Sequence, residues 1–246
     1  MMPIPAPRVH DRQRGRSRRD LGAQGHGTCV CQPFPGVAVE IVRITDDPMP
    51  DWSDDLRAPA GQVGEIAVFA PIVSPEYKDR PDANAVSKVV RDGAIGHRMG
   101  DLGYVDFQGR LWFCGRKSHA LWVDPVRLPE SVRRPDGLLP AVPVEGVFNE
   151  HPKVLRTALV GIGERGSQEP VLCVELEKGE AWSPALADEI LALAEGTRWQ
   201  GVVGRALHSA GFPTDPRHNS KIKREELRAW ASTQAPARRI VQGDAA

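Results

Sequence analysis

The 246-residue chain has little of what marks several large protein classes. No apolar run approaches the roughly 18 residues that a membrane-spanning helix needs. Lysine plus arginine and aspartate plus glutamate balance at 32 each, so no global field draws the chain to nucleic acid or an anionic membrane. With only four cysteines (Cys29, Cys31, Cys114, Cys173) there is no disulfide framework. The apolar neighbours of Cys114 and Cys173 suit reduced core thiols, and a reducing, cytoplasmic setting is expected. Cys29-Val30-Cys31 is half of a possible metal site, but no second Cys/His pair stands at ligand spacing, so no metal ligand is assigned. Also missing is any run of glycines and hydroxyls whose backbone N–H groups could cradle a triphosphate.

What is present is a soluble-type composition, 41% hydrophobic, long enough for one large or two small domains. The first 24 residues stand apart. Six arginines (Arg8, Arg12, Arg14, Arg16, Arg18, Arg19) face only Asp11 and Asp20, with little to bury. The stretch has neither the apolar core of a secretory signal nor a helical apolar stripe, and reads as a disordered basic arm.

From Pro33 the pattern is β. Val37, Val39, Ile41 and Ile44 approximate one strand. Glu65–Phe69, introduced by Gly61 and Gly64 and ended by Pro71, makes another, and the turn-rich span 46–59 is a loop. Val105 to Phe113 reads as a hairpin turning at Gln108-Gly109, which puts Asp101 at a strand-to-turn edge. The span from Ala120 to Val142, with four prolines inside it and Pro143 just beyond, reads as an irregular, exposed loop. Beyond it come a helix from Pro143 to about Asn149, strands at Leu155–Ile162 and Val171–Glu177, a helix capped by Ser183, and a last helix from Arg224 to Trp230. Gly161-Ile162-Gly163-Glu164-Arg165-Gly166 matches the dinucleotide fingerprint. A strand rather than a helix follows it, so it reads as a hairpin loop.

Two segments carry chemistry. The first runs from His97 to Arg116 and contains Gly100-Asp101, a turn, a short apolar strand and Gly115-Arg116. The second is His218-Asn219-Ser220-Lys221-Ile222-Lys223-Arg224. In that order they resemble the ribose-binding segment and the catalytic-lysine segment of the adenylate-forming enzymes (acyl-CoA synthetases, luciferases, peptide-synthetase adenylation domains). The wording is nearest to the fatty-acid-ligase-like β-lactone synthetases. The resemblance runs from about Gly25 to about Trp230 and implies an α+β fold: a partial β-barrel subdomain followed by a small α/β C-terminal lid. The expected divisions are 1–24 arm, 25–115 barrel, 116–142 hinge and proline-rich loop, 143–231 lid and 232–246 tail.

The residue types suit the implied roles. Asp101 can accept both ribose hydroxyls, and Gly100 lets the backbone approach the sugar. Arg116 offers a planar fork of donors to ribose or phosphate. Lys221 is the catalytic point charge between carboxylate and α-phosphate, and a donor of this kind contributes about a hundredfold to a thousandfold in rate. Ser118, two residues after Arg116, occupies the hinge position. His97 and His218 are secondary acid–base candidates, and His151 reads as a helix-end cap.

The resemblance implies ATP and Mg2+ as cofactors, coenzyme A as a possible acceptor, and a fatty or β-hydroxy acid as the small-molecule carboxylic acid. Members of that family are much longer. Their phosphate loop and their aromatic-Thr-Glu segment are not found here, so the chain is expected to be a C-terminal part, inactive alone. A separately encoded N-terminal half is the partner that could complete it. The other reading is a non-catalytic remnant or interaction module that keeps the lid fold.

Overall fold

The computed structural model describes residues 22–215 and 218–234. Most of the basic arm and the tail beyond Gln234 lie outside the described residues.

Strands β1 (Thr28–Cys31), β2 (Ala38–Val42), β3 (Gly64–Phe69), β4 (Lys88–Arg91), β5 (Ala94–Val105) and β6 (Leu111–Arg116) form one antiparallel sheet. Its order is β1-β6-β5-β3-β2, with β4 also on β5. A short helix, α1 (Pro81–Ser87), leads into β4 with proline in its first turn, where the missing N–H costs nothing. The sheet curls as a half-barrel. Val42, Met49, Leu56 and Ala67 fill one pocket of its core, and Trp52 packs against them.

The expected hairpin is present, turning at Asp106–Gly109. The Asp106 carboxylate accepts from the backbone N–H groups of Gln108 and Arg110, both at 2.9 Å, and so closes the turn itself. One expectation needs correcting. β5 begins at Ala94, so Asp101 lies within a long strand, at the end of the hairpin away from its turn.

The second half is built on strands β9 (Val154–Ile162), β10 (Glu169–Leu176) and β11 (Ala206–His208). β10 pairs antiparallel with β9 and parallel with β11. Successive strand residues point to opposite faces, and here both faces are covered. Leu159, Leu172, Val174 and Leu176 face helices α2 (Ala141–Phe148) and α3 (Pro184–Ala192). Ala158, Val160, Val171 and Cys173 face α4 (Arg224–Thr233) through Leu227 and Ala231. That is why these strands read as nearly unbroken apolar runs. Ser183 caps α3, its hydroxyl accepting from Leu186 N at 3.1 Å. The glycines at 161–166 make the loop of the β9–β10 hairpin, as expected for a strand-loop-strand reading.

The proline-rich segment is the clearest correction. It is not an exposed loop. Leu121, Val123, Leu128, Val132 and Leu139 are buried in the same core as α2 and α3, and Leu138 packs with Leu102 and Cys114 of the barrel. β7 (Leu121–Trp122) pairs with β8 (Leu138–Leu139). Pro125, Pro129 and Pro140 stand at or just before the first residue of a helical turn or helix, where their fixed φ is favourable. The prolines therefore punctuate an ordered run, and the aliphatic residues between them supply the burial.

At the other end, a helical turn at Gly22–His26 packs against α2. The Gly25 (φ 79) carbonyl accepts from Trp199 Nε1 at 2.8 Å, and a side chain at Gly25 would collide with that indole.

Candidate functional site

Asp101 and Arg116 are register partners across the open end of the β5–β6 hairpin. Between Arg98 and Leu102, β5 carries extra residues relative to β3, which spans the same interval from Glu65 to Ala67. Gly100 sits in this bulge at φ 66, and nothing lies within 4 Å of where its Cβ would be. The glycine is thus required for its left-handed backbone, a reason independent of any sugar. The bulge re-aims Asp101 toward the rim.

Arg116 Nε lies 3.2 Å from Asp101 Oδ1, with the arginine 57% exposed and the aspartate 19%. The contact has ion-pair distance without hydrogen-bond geometry, and Oδ1 is buried with no hydrogen-bond partner. Burial pushes the Asp101 carboxyl upward in pKa, Arg116 pulls it back, and Glu65 adds a smaller upward push. The pair is thus a half-buried carboxylate with one unsatisfied acceptor oxygen beside an exposed guanidinium.

Behind the rim lies a saturated network that sequence reading missed. The Arg98 side chain, 1% exposed, donates to Glu65 Oε2 (2.7 Å), Asp47 O (2.8 Å) and Thr45 O (2.6 Å). Lys117 Nζ joins it at Thr45 O (2.9 Å), Glu65 Oε2 (3.4 Å) and Asp46 Oδ1 (3.2 Å). Ser118 follows directly, exposed in the single turn Lys117–His119. The backbone is therefore anchored to the barrel up to Lys117, and Ser118 is the first residue past that anchor.

Lys221 is exposed in β13 (His218–Ile222), which pairs with β12 (Thr214–Asp215). Arg224, just beyond, forks onto Glu145 of α2: Nη1 to Oε1 at 2.6 Å and Nη2 to Oε2 at 2.9 Å. Glu145 also accepts from Leu159 N at 2.7 Å, and Arg224 donates to Leu159 O at 3.0 Å. The sequence signal for this pair was one charge inside an otherwise apolar helix, Val144-Glu145-Gly146-Val147-Phe148. The structure brings Lys221 and Arg116 into one electrostatic neighbourhood around His119. Burial first, then the charges of Arg224, Arg116 and Lys221, push that imidazole down to about 4.

The histidine candidates divide. His97 Nε2 lies 3.3 Å from the Tyr77 hydroxyl, and burial followed by the Lys88 charge lowers its pKa. His151 follows α2, and its Nδ1 accepts from Lys153 N at 3.2 Å, in the turn between the helix and β9. The His218 side chain lies outside the described residues. Cys29, Cys31, Cys114 and Cys173 are free thiols, and burial raises Cys114 and Cys173 to about 12. Among the described residues no group of three or more His, Cys, Asp or Glu side chains could hold a metal ion, and no helix is long and apolar enough to cross a membrane.

No family profile matches the chain. It is 42% identical over 240 residues to an olefin β-lactone synthetase of Stenotrophomonas maltophilia, covering 96% of this chain and 41% of that protein. It is 44% identical over 217 residues to the olefin β-lactone synthetase of Xanthomonas campestris pv. campestris, covering 85% and 37%. The chain thus spans about two fifths of the length of these relatives. Among solved structures, the amide bond synthetase McbA from Marinactinospora thermotolerans superposes with a TM-score of 0.61 at 25% identity, over 82% of this chain and 36% of that one. Sequence and fold together place the chain in the adenylate-forming ligase family, as a C-terminal portion of such an enzyme with the barrel and lid architecture.

Proposed function

We propose that the chain supplies the ribose rim and the catalytic lysine of an ATP-dependent, acid-activating ligase. The observation that carries this reading is the Asp101 carboxylate, with one buried oxygen free of hydrogen bonds beside Arg116. Asp101 would accept the two ribose hydroxyls, and Arg116 would hold ribose or phosphate oxygen. ATP, when bound with Mg2+, supplies the α-phosphorus that a substrate carboxylate oxygen attacks as the bond to pyrophosphate breaks. Lys221 would neutralise the charge that builds between carboxylate and phosphate, and Ser118 would be the hinge that moves it. Residues 25–115 are then barrel and 143–231 lid, with 116–142 between them.

The substrate in this reading is a fatty or β-hydroxy acid whose acyl group passes to an internal hydroxyl; the names of the two relatives, olefin β-lactone synthetases, support the ring-closing step, since a β-lactone joins an acyl group to a hydroxyl of the same molecule. Capture by coenzyme A is the other acceptor chemistry. The phosphate-holding half would come from an N-terminal partner segment. The test is acid-dependent exchange of pyrophosphate into ATP. The chain alone should show none. Mixed with a separately produced N-terminal portion of the Stenotrophomonas relative, it should show exchange that Lys221→Ala lowers about a hundredfold to a thousandfold. Exchange that is indifferent to Lys221→Ala contradicts the assignment.

A further inference from the structure

A cavity of ≈ 1140 Å³ opens between the β5–β6 hairpin, the segment around Arg133–Leu138, and the loop carrying Arg198 and Trp199. Its lining includes neither Asp101 nor Lys221. It begins at Tyr104, about 10 Å along β5 from Asp101 at the usual rise per strand residue. It is therefore a different place from the ribose rim.

Its walls are aromatic, and their polar ends are already engaged. Tyr104 and Trp112 are register partners whose rings stack with centroids 6.2 Å apart and planes 7° from parallel. The Tyr104 hydroxyl donates to His26 O at 3.3 Å, and Trp112 Nε1 donates to Asp106 Oδ2 at 2.8 Å. Trp112 is 2% exposed and backs the wall, so the apolar ring surface left to a ligand is that of the partly exposed Tyr104.

The charge is one-sided. Arg110 is held by Asp106 at 2.6 Å and Arg134 by Asp136 at 2.8 Å. Arg133 donates Nε and Nη2 to Leu128 O, which carries no counter-charge. Arg198 is exposed, with its Cζ 5.2 Å from the Trp199 ring centroid. Among the described residues neither Arg133 nor Arg198 has a carboxylate partner at ion-pair distance, so the cavity keeps two uncompensated cations. Ligand sites commonly combine an apolar cavity with a few convergent polar groups. A guanidinium beside aromatic faces is well suited to a planar anion.

We propose that this cavity binds an amphiphilic monoanion with a flat apolar body. The body lies against Tyr104 and Val63, and the acidic head group meets Arg198 with Arg133. The inference is independent of the ribose assignment.

The test uses the full chain and two dyes of similar shape, anionic 8-anilinonaphthalene-1-sulfonate and neutral N-phenyl-1-naphthylamine. The anionic dye should bind one per chain and quench tryptophan emission. Arg198→Glu should weaken it at least tenfold while changing the neutral dye less than twofold. Tyr104→Ala should weaken both. Arg198→Gln serves as a second, milder variant, and near-ultraviolet circular dichroism confirms that each variant is folded. The proposal is overturned if the folded chain fails to bind the anionic dye, or if the Arg198 variants leave its affinity unchanged or weaken both dyes alike.

Discussion

Two arginine–carboxylate pairs in this molecule have opposite characters. Arg224 and Glu145 join α4 to α2 with two parallel hydrogen bonds, and both then bond the Leu159 backbone. Arg116 and Asp101 stand at a rim, at ion-pair distance but without a hydrogen bond, and leave a buried oxygen unsatisfied. The first pair has no acceptor capacity turned outward and holds the fold together. The second leaves an acceptor unsatisfied, and that unpaired oxygen is what the proposed ribose role of Asp101 rests on.

Glu145→Leu strands the Arg224 guanidinium against a buried face, and removing one partner of such a pair costs about 3–5 kcal/mol. Urea unfolding should show a loss of that size. A loss below about 1 kcal/mol, the range of exposed pairs, would erase the distinction from Asp101–Arg116.

The next largest effect concerns the segment between the two pairs. Leu139 is fully buried in the core it shares with α2 and α3. Leu139→Ala should cost about 2–5 kcal/mol, and limited proteolysis of the unmodified chain should spare 120–142 as well as it spares the strands. Early cleavage there would restore the exposed-loop reading.

The smallest effect sharpens the electrostatics. His119 should titrate near pH 4, followed by NMR of its ring. The free-chain value lies near 6.5, so the unfolded state binds more protons between about 4 and 6.5, and His119 makes stability fall as pH drops through that window. Lys221→Ala and Arg116→Ala should each raise the midpoint, because both charges act on this ring. An unchanged midpoint in the Lys221 variant would separate Lys221 from the rim.

Sequence reading reached the local features and missed the long-range ones. The hairpin turn, the buried β9 and β10 strands and the capped α3 were legible because periodicity and capping are local. Asp101 and Arg116 came together because one hairpin joins them. Arg98–Glu65 and Arg224–Glu145 were not legible, since their partners are brought together only by sheet register and helix packing. The proline-rich segment was misread because proline marks breaks in regular structure, while its burial comes from the leucines and valines between the prolines. Lys221 lies on a strand whose residues show no apolar alternation, so its element was invisible although its motif was not.

Whether the unsatisfied Asp101 carboxylate accepts ribose hydroxyls is read from calorimetric or NMR titration of the chain with adenosine and 2′,3′-dideoxyadenosine. Hydrogen bonds to a charged group contribute about 1.5–3 kcal/mol each. Adenosine should therefore bind at least tenfold more tightly than the dideoxy analogue, and Asp101→Ala should abolish the difference. Equal affinity for the two nucleosides, or a preference that survives Asp101→Ala, would contradict the account.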